Sequence, residues 1–391
     1  MRVLFITQRL PAHAARGDQR RAFAHIRALS ARHAITSLSF DAADAAGRAA
    51  LAPYCEQVIV VPRSPLRSAV QALAALAGPR PLQVAMNDGI AADLDVAALR
   101  DSGFDLAHVQ LVRLAGLLPR LAPLPCVVDF VDALSLNMAR RAQWDRAPMR
   151  WVAALEARRL ADCERALCMR HATVVCSAAD RAAMREDEFA PHLVRNGVDL
   201  DEFAFTRGQP RTPEIIFAGN LGYFPNVDAA SWFVAEVMPL LLREIPQLRL
   251  RLVGARPAAV LHRLARTQPN IDLVGEVPHM QPHLARAAAA IVPLRAGSGQ
   301  QFKLLEAMAA GTPVVSSRLS AHSIGAIDGK HLLVADDAPA MSAALLRLLS
   351  SPALAESLAC EARRHVEAEF SWTRSAQELE SVWRALAAAR T

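Results

Sequence analysis

Aromatic side chains are scarce in this sequence, at 5% of residues. Alanine, leucine and valine must therefore fill most of the core. No stretch approaches the ~18 uninterrupted apolar residues that a membrane-spanning helix requires. The opening MRVLFITQRLP breaks its apolar run at Gln8 and Arg9, which reads as a first strand and not as a signal peptide. The six cysteines contain no C-x-x-C pair. They read as reduced, structural thiols of a cytoplasmic protein. No cluster of His, Asp or Glu has metal-ligand spacing and no D-x-D pattern occurs, so no metal is expected. Zinc-finger spacing, a basic region with heptads and an aromatic RNA-binding signature are all missing, which argues against nucleic acid as a partner.

What is present is globular: 391 residues, 53% hydrophobic and 21% charged, long enough for two cores. The formal charge of +6 favours anionic partners, and a phosphate-bearing small molecule fits best. Short apolar runs alternate with helical patterns throughout. In the first half they fall at 2–7, 34–40, 57–61, 106–110, 126–131 and 172–177. In the second half they fall at 214–219, 248–254, 271–277, 288–294, 313–317 and 331–336. Continuous hydrophobic strands separated by helices mean parallel sheets covered on both faces, an α/β fold of two doubly wound, Rossmann-like domains. The polar segment around 191–212 marks the division, giving domains of 1–200 and 201–371. The last helix, in 372–391, has no strand after it and is free to pack back on the first domain. Ligands in such sheets bind beyond the carboxyl ends of the strands. Two such domains facing a central cleft suit transfer between two substrates.

The most informative segment is IVPLRAGSGQQFKLLEAMAAGTPVVSS, 291–317. It reads strand, glycine loop, helix, turn, strand. Gly297, Ser298 and Gly299 open a helix beginning near Gln300 or Gln301, whose N-terminal end suits a diphosphate. Arg295 and Lys303 add positive charge there. Glu306, one turn on, is placed to accept two vicinal ribose hydroxyls. A glycine turn before an ordinary surface helix would explain any one of these features, but less well the whole string.

That string resembles the donor-site motif of retaining glycosyltransferases of family 4, which have the GT-B fold. Within the family it looks most like the sugar transferases associated with PEP-CTERM exopolysaccharide systems. GDQRR at 17–21, VDFVDALS at 128–135 and GNLGYFPNVDAASWF at 219–233 extend the resemblance. So do GARP at 254–257, VRNGVDLDEF at 194–203 and FSW at 370–372. The resemblance implies a nucleotide-sugar donor, a glycan or lipid-linked acceptor and transfer with retention in surface-glycan synthesis. It makes Glu306 the second glutamate of an E-x7-E pattern that holds the ribose, with Ser298 standing where the first glutamate belongs. Phe302 replaces the usual asparagine. The basic pair that many relatives carry after the first strand of the second domain is missing from 220–226. Phosphate charge then falls to Arg295, Lys303 and Arg256. Gly219, Asn220 and Gly254, at strand ends, would let the donor approach, and Glu276 with His279 would lie by the nucleobase.

In the first domain, Gly17 permits close backbone approach and is followed by Asp18, Arg20 and Arg21. Either arginine would suit an acceptor phosphate. A solvated first helical turn explains them equally well. Asp132 matches the position where relatives place a polar residue near the anomeric carbon, the alternative being a helix N-cap. Two basic stretches, 62–81 and 138–159, mix arginines with apolar and Trp side chains. They suit either an anionic membrane surface, at the inner face of the plasma membrane, or helices packed on the domain with arginines in water. A sugar-nucleotide epimerase and a non-catalytic nucleotide-sugar-binding partner of a polysaccharide assembly remain as other readings.

Overall fold

The computed structural model describes residues 1–12, 17–42, 44–88, 98–99, 101–145, 147–184, 189–206, 212–297 and 299–389. The chain forms two compact units. The first comprises Met1–Asn196 with Trp372–Thr391, and the second Gly197–Ser371.

Among the described residues, seven parallel strands build the first unit: β1 (Arg2–Thr7), β2 (Ala34–Phe40), β3 (Gln57–Val61), β4 (Leu106–Gln110), β5 (Cys126–Val131), β6 (Ala172–Val175) and β7 (His192–Leu193). Their order is β3-β2-β1-β4-β5-β6-β7, so the winding reverses between β1 and β4. The central strand β1 shows why its sequence is apolar throughout. Leu4 and Ile6 enter one core layer, and Val3 and Phe5 the layer on the opposite face. That second layer is completed by Leu379, Val382 and Trp383 of the helix Trp372–Ala388, so the end of the chain covers the sheet formed by its beginning.

Among the described residues, six parallel strands build the second unit: β8 (Thr212–Ala218), β9 (Arg249–Val253), β10 (Ile271–Gly275), β11 (Ala287–Val292), β12 (Val314–Ser316) and β13 (Leu333–Val334). Their order is β10-β9-β8-β11-β12-β13, with the switch point between β8 and β11. Both units are thus α/β and Rossmann-like, and in each the ligand-binding crevice is expected at the switch point. Arg363, from the helix Pro352–Glu369, donates to the carbonyls of Phe203 and Ala309, both at 2.8 Å. It thereby pins the last turn of the helix Phe302–Ala309. Among the described residues no single helix is long and apolar enough to cross a membrane.

Candidate functional site

In the second unit the strands β8, β9 and β10 each end at a glycine: Gly219, Gly254 and Gly275, all with positive φ. Gly219 N–H donates to Val253, and Gly254 N–H donates to Gly275. The three ends therefore step past one another in direct backbone contact. A Cβ on Gly254 would stand 1.7 Å from the carbonyl oxygen of Gly219. Glycine is required there by contact as well as by φ.

Lys303 reaches this wall from the first turn of the helix Phe302–Ala309. A Cβ on Gly219 would lie 3.1 Å from Lys303 Cε. The ammonium lies 5.2 Å from the centre of the Phe217 ring and donates to Asn226 Oδ1. Asn226 is itself buried, and its Nδ2 donates to the Asn220 carbonyl at 2.8 Å. Burial lowers the Lys303 pKa to about 7, against an opposing pull from the Glu306 carboxylate. A lysine in this state is short of negative charge, and an oxyanion beside it would restore its proton. Glu306 lies one turn on, also buried. The helix has Gln301 as N-cap, whose own side chain does not cap it. It begins one to two residues later than its sequence suggests. Gly297 and Gly299 both have positive φ in the loop before it. Gln300 is buried and Gln301 half-buried, while Ser298 lies outside the described residues.

Arg295 departs from expectation. Its guanidinium makes a two-pronged pair with Asp228, at 2.6 and 3.1 Å, and stacks over Trp232. This pair braces the loop against the helix Phe224–Trp232. Arg256 is exposed, just beyond Gly254, with φ +56. Glu276 and His279 are both exposed. Glu276 directly follows Gly275.

In the first unit the expected residues fall in different surroundings. Arg21 is corrected: it is fully buried, 2.8 Å from Asp129, and donates to the Val194 carbonyl and Asn196 Oδ1, both at 2.9 Å. It cannot reach an acceptor phosphate. Burial pushes the Asp129 carboxyl up, but Arg21 and His108 outweigh it and hold it far below the usual range. Asp18 pairs with Arg9 at 2.7 Å, and its carbonyl accepts from Gln110 at 3.1 Å. Gly17 and Arg20 are half-buried at the start of the helix Gly17–Leu29. Asp132 is half-buried just past β5. It is not the cap of the next helix, whose N-cap is Ala133. Beside it stand two desolvated carboxyls. Glu164 is raised to about 7 and Asp180 to about 6, by burial and then, among other causes, by the charge of Asp132.

Asn226 and Asp228 join the site without having been singled out in the sequence. Their one signal is their position, just after β8, in the segment where a basic pair was sought.

Residues 212–351 match the family model described as "Glycosyl transferases group 1". Glycogen synthase of Mycobacterium tuberculosis (strain ATCC 25618 / H37Rv) is 30% identical over 219 residues, which is 51% of this chain and 50% of that protein. The chain thus spans about half the length of the curated relatives it matches. In fold it is similar to sucrose-phosphate synthase of Thermosynechococcus elongatus, with TM-score 0.71, 19% identity and 99% of both chains covered. It is likewise similar to Anabaena Alr3699/HepE, solved in complex with UDP, with TM-score 0.67, 16% identity and 98% and 100% covered. Over residues 212–351 the chain is thus similar in sequence to the group 1 glycosyl transferases, and over nearly its whole length it shares the fold of the GT-B glycosyltransferases.

Proposed function

We propose that the protein transfers a sugar from a nucleoside diphosphate sugar to an acceptor hydroxyl, with retention at the anomeric carbon, in the synthesis of a surface glycan. The observation that carries this reading is Lys303, buried and short of negative charge, set against the glycine end of β8 at the switch point. The group 1 match of the same segment and the UDP in the HepE structure support a nucleotide-sugar donor. Donor cleavage develops negative charge on the leaving diphosphate. Lys303 and the positive end of the helix Phe302–Ala309 would stabilise it where little water competes. Glu306 would accept the ribose hydroxyls. Asn226, Asp228 and Arg295 brace the residues around Lys303 in the second unit, and in the first unit Asp132 would serve the acceptor.

The test is turnover of a panel of nucleotide sugars, with the anomeric configuration of the product read by NMR. Lys303→Ala is expected to lower kcat by about a hundredfold or more, as for loss of one oxyanion donor. An unchanged kcat, or an inverted product, would refute the assignment. A second reading, a nucleotide-sugar-binding partner without catalysis, is favoured by the engagement of Arg295 with Asp228. It predicts donor binding with no transfer to any acceptor.

A further inference from the structure

The helix Pro65–Ala75 is built inside out. Leu66, Val70, Leu73 and the following Leu76 are 76, 58, 67 and 52% exposed, whereas Ser68 and Gln71 turn inward. Four large aliphatic side chains on one helix, all facing water, demand an explanation. A second apolar face lies close by. Arg159 donates to the carbonyls of Ala75 and Leu76, at 3.3 and 3.0 Å, which sets the end of this helix against the helix Met149–Cys168. One turn before Arg159 stands Leu155, and the first two turns also expose Met149, Trp151 and Val152, with Trp151 at 67%.

The charge around these faces has one dominant sign. Between Glu56 and Asp88 the sequence has no acidic residue, but it carries Arg63, Arg67 and Arg80. Arg150, the neighbour of Trp151 in the chain, and Arg158, two turns on, are exposed. Near the helix junction a hollow of about 570 Å³ is lined by Arg80, Arg159, Arg170, His171 and Asp162; Arg80 is paired with Asp88 at 2.7 Å, so the positive excess rests on Arg159 and Arg170. A protein partner of ordinary composition would not need so one-sided a cationic rim. Leucines, a tryptophan and arginines are what the interface of an anionic bilayer selects.

We propose that this face of the first unit docks on an anionic lipid bilayer, with Leu66, Val70, Leu73 and Trp151 entering the acyl boundary and the arginines meeting lipid phosphates. These residues are far in sequence from the pocket around Lys303, so nucleotide binding by the second unit separates a failed surface from a failed fold.

The experiment is flotation of the full chain with phosphatidylcholine vesicles, with and without phosphatidylglycerol. The protein is expected to float with the anionic vesicles, stay behind with the neutral ones, and be released by salt. Leu66→Ser with Leu73→Ser should weaken flotation at least about tenfold and leave the melting temperature unchanged, because both side chains already face water. Arg67→Gln and Arg150→Gln should each weaken it about fivefold. Equal binding to neutral vesicles, flotation indifferent to the leucine pair, or a marked fall in melting temperature in that variant would each overturn the proposal. So would a dimer in solution that the leucine pair abolishes while no vesicle binds, since the occupant would then be a second copy.

Discussion

Lys303 is where one side chain and the proposed chemistry meet most directly. Burial lowers its pKa to about 7. Binding a diphosphate would raise that value, so the complex takes up a proton above pH 7. Affinity for a nucleoside diphosphate should then fall as pH rises above 7, by at most about tenfold per unit from this group. Calorimetric titrations at several pH values check this, with Lys303→Gln expected to remove the dependence. The same group makes a stability prediction. A lysine whose folded pKa is lowered contributes stability that is full above its unfolded value of 10.5 and is lost as pH falls toward 7. The difference in melting temperature between the wild type and Lys303→Met should track that window. The glycines allow a sharper contrast. In Gly254→Ala the new Cβ meets a backbone carbonyl at 1.7 Å, and about 3 kcal/mol or more of stability should be lost. In Gly275→Ala, with φ +80 but nothing within 4 Å, the loss should be about 1 kcal/mol. Urea unfolding of the two variants distinguishes contact from conformational strain.

At the scale of elements, the helix Trp372–Ala388 is fixed to the first unit by a buried polar cluster. Trp383 Nε1 donates to His108 Nδ1 at 3.3 Å, so the His108 proton sits on Nε2, facing Asp129 at 3.6 Å. Burial lowers the His108 pKa, and the charge on Asp129 is paired with Arg21 at 2.8 Å. Removing one partner leaves a buried charge alone. Arg21→Met is therefore expected to cost about 3–5 kcal/mol, and adding Asp129→Leu should recover part of that loss. A double-mutant cycle by chemical denaturation reads both. This cluster also shows why parts of the molecule could not be read from sequence. The strands were legible because sheets covered on both faces need unbroken apolar runs. They end earlier than those runs where a glycine turns the chain, and β7 has only two residues, too few for a pattern. The loop and helix around Lys303 were legible because their residues are neighbours in the chain. Asn226, Asp228 and the burial of Arg21 were not. Their partners stand 77, 67 and 108 positions away, and only the folded sheets bring them together.

For the molecule as a whole, pH acts on stability through Glu164 and Asp180 as well. Their folded pKa values, about 7 and 6, are raised. Their contribution is full below the unfolded carboxylate range and is lost as pH rises through 6 to 7. Melting temperatures between pH 4.5 and 7.5 should fall less steeply in Glu164→Gln than in the wild type. The central claim concerns the second unit, and one measurement reaches it most directly. Thermal unfolding is followed at pH 7 with UDP, GDP, TDP and ADP and their sugars, for the wild type and Glu306→Ala. Ligand at ~100 times its dissociation constant stabilises a fold by about 2.7 kcal/mol. The account predicts stabilisation by nucleotides of one base and its loss in Glu306→Ala, whereas a melting temperature unmoved by every nucleotide would contradict it.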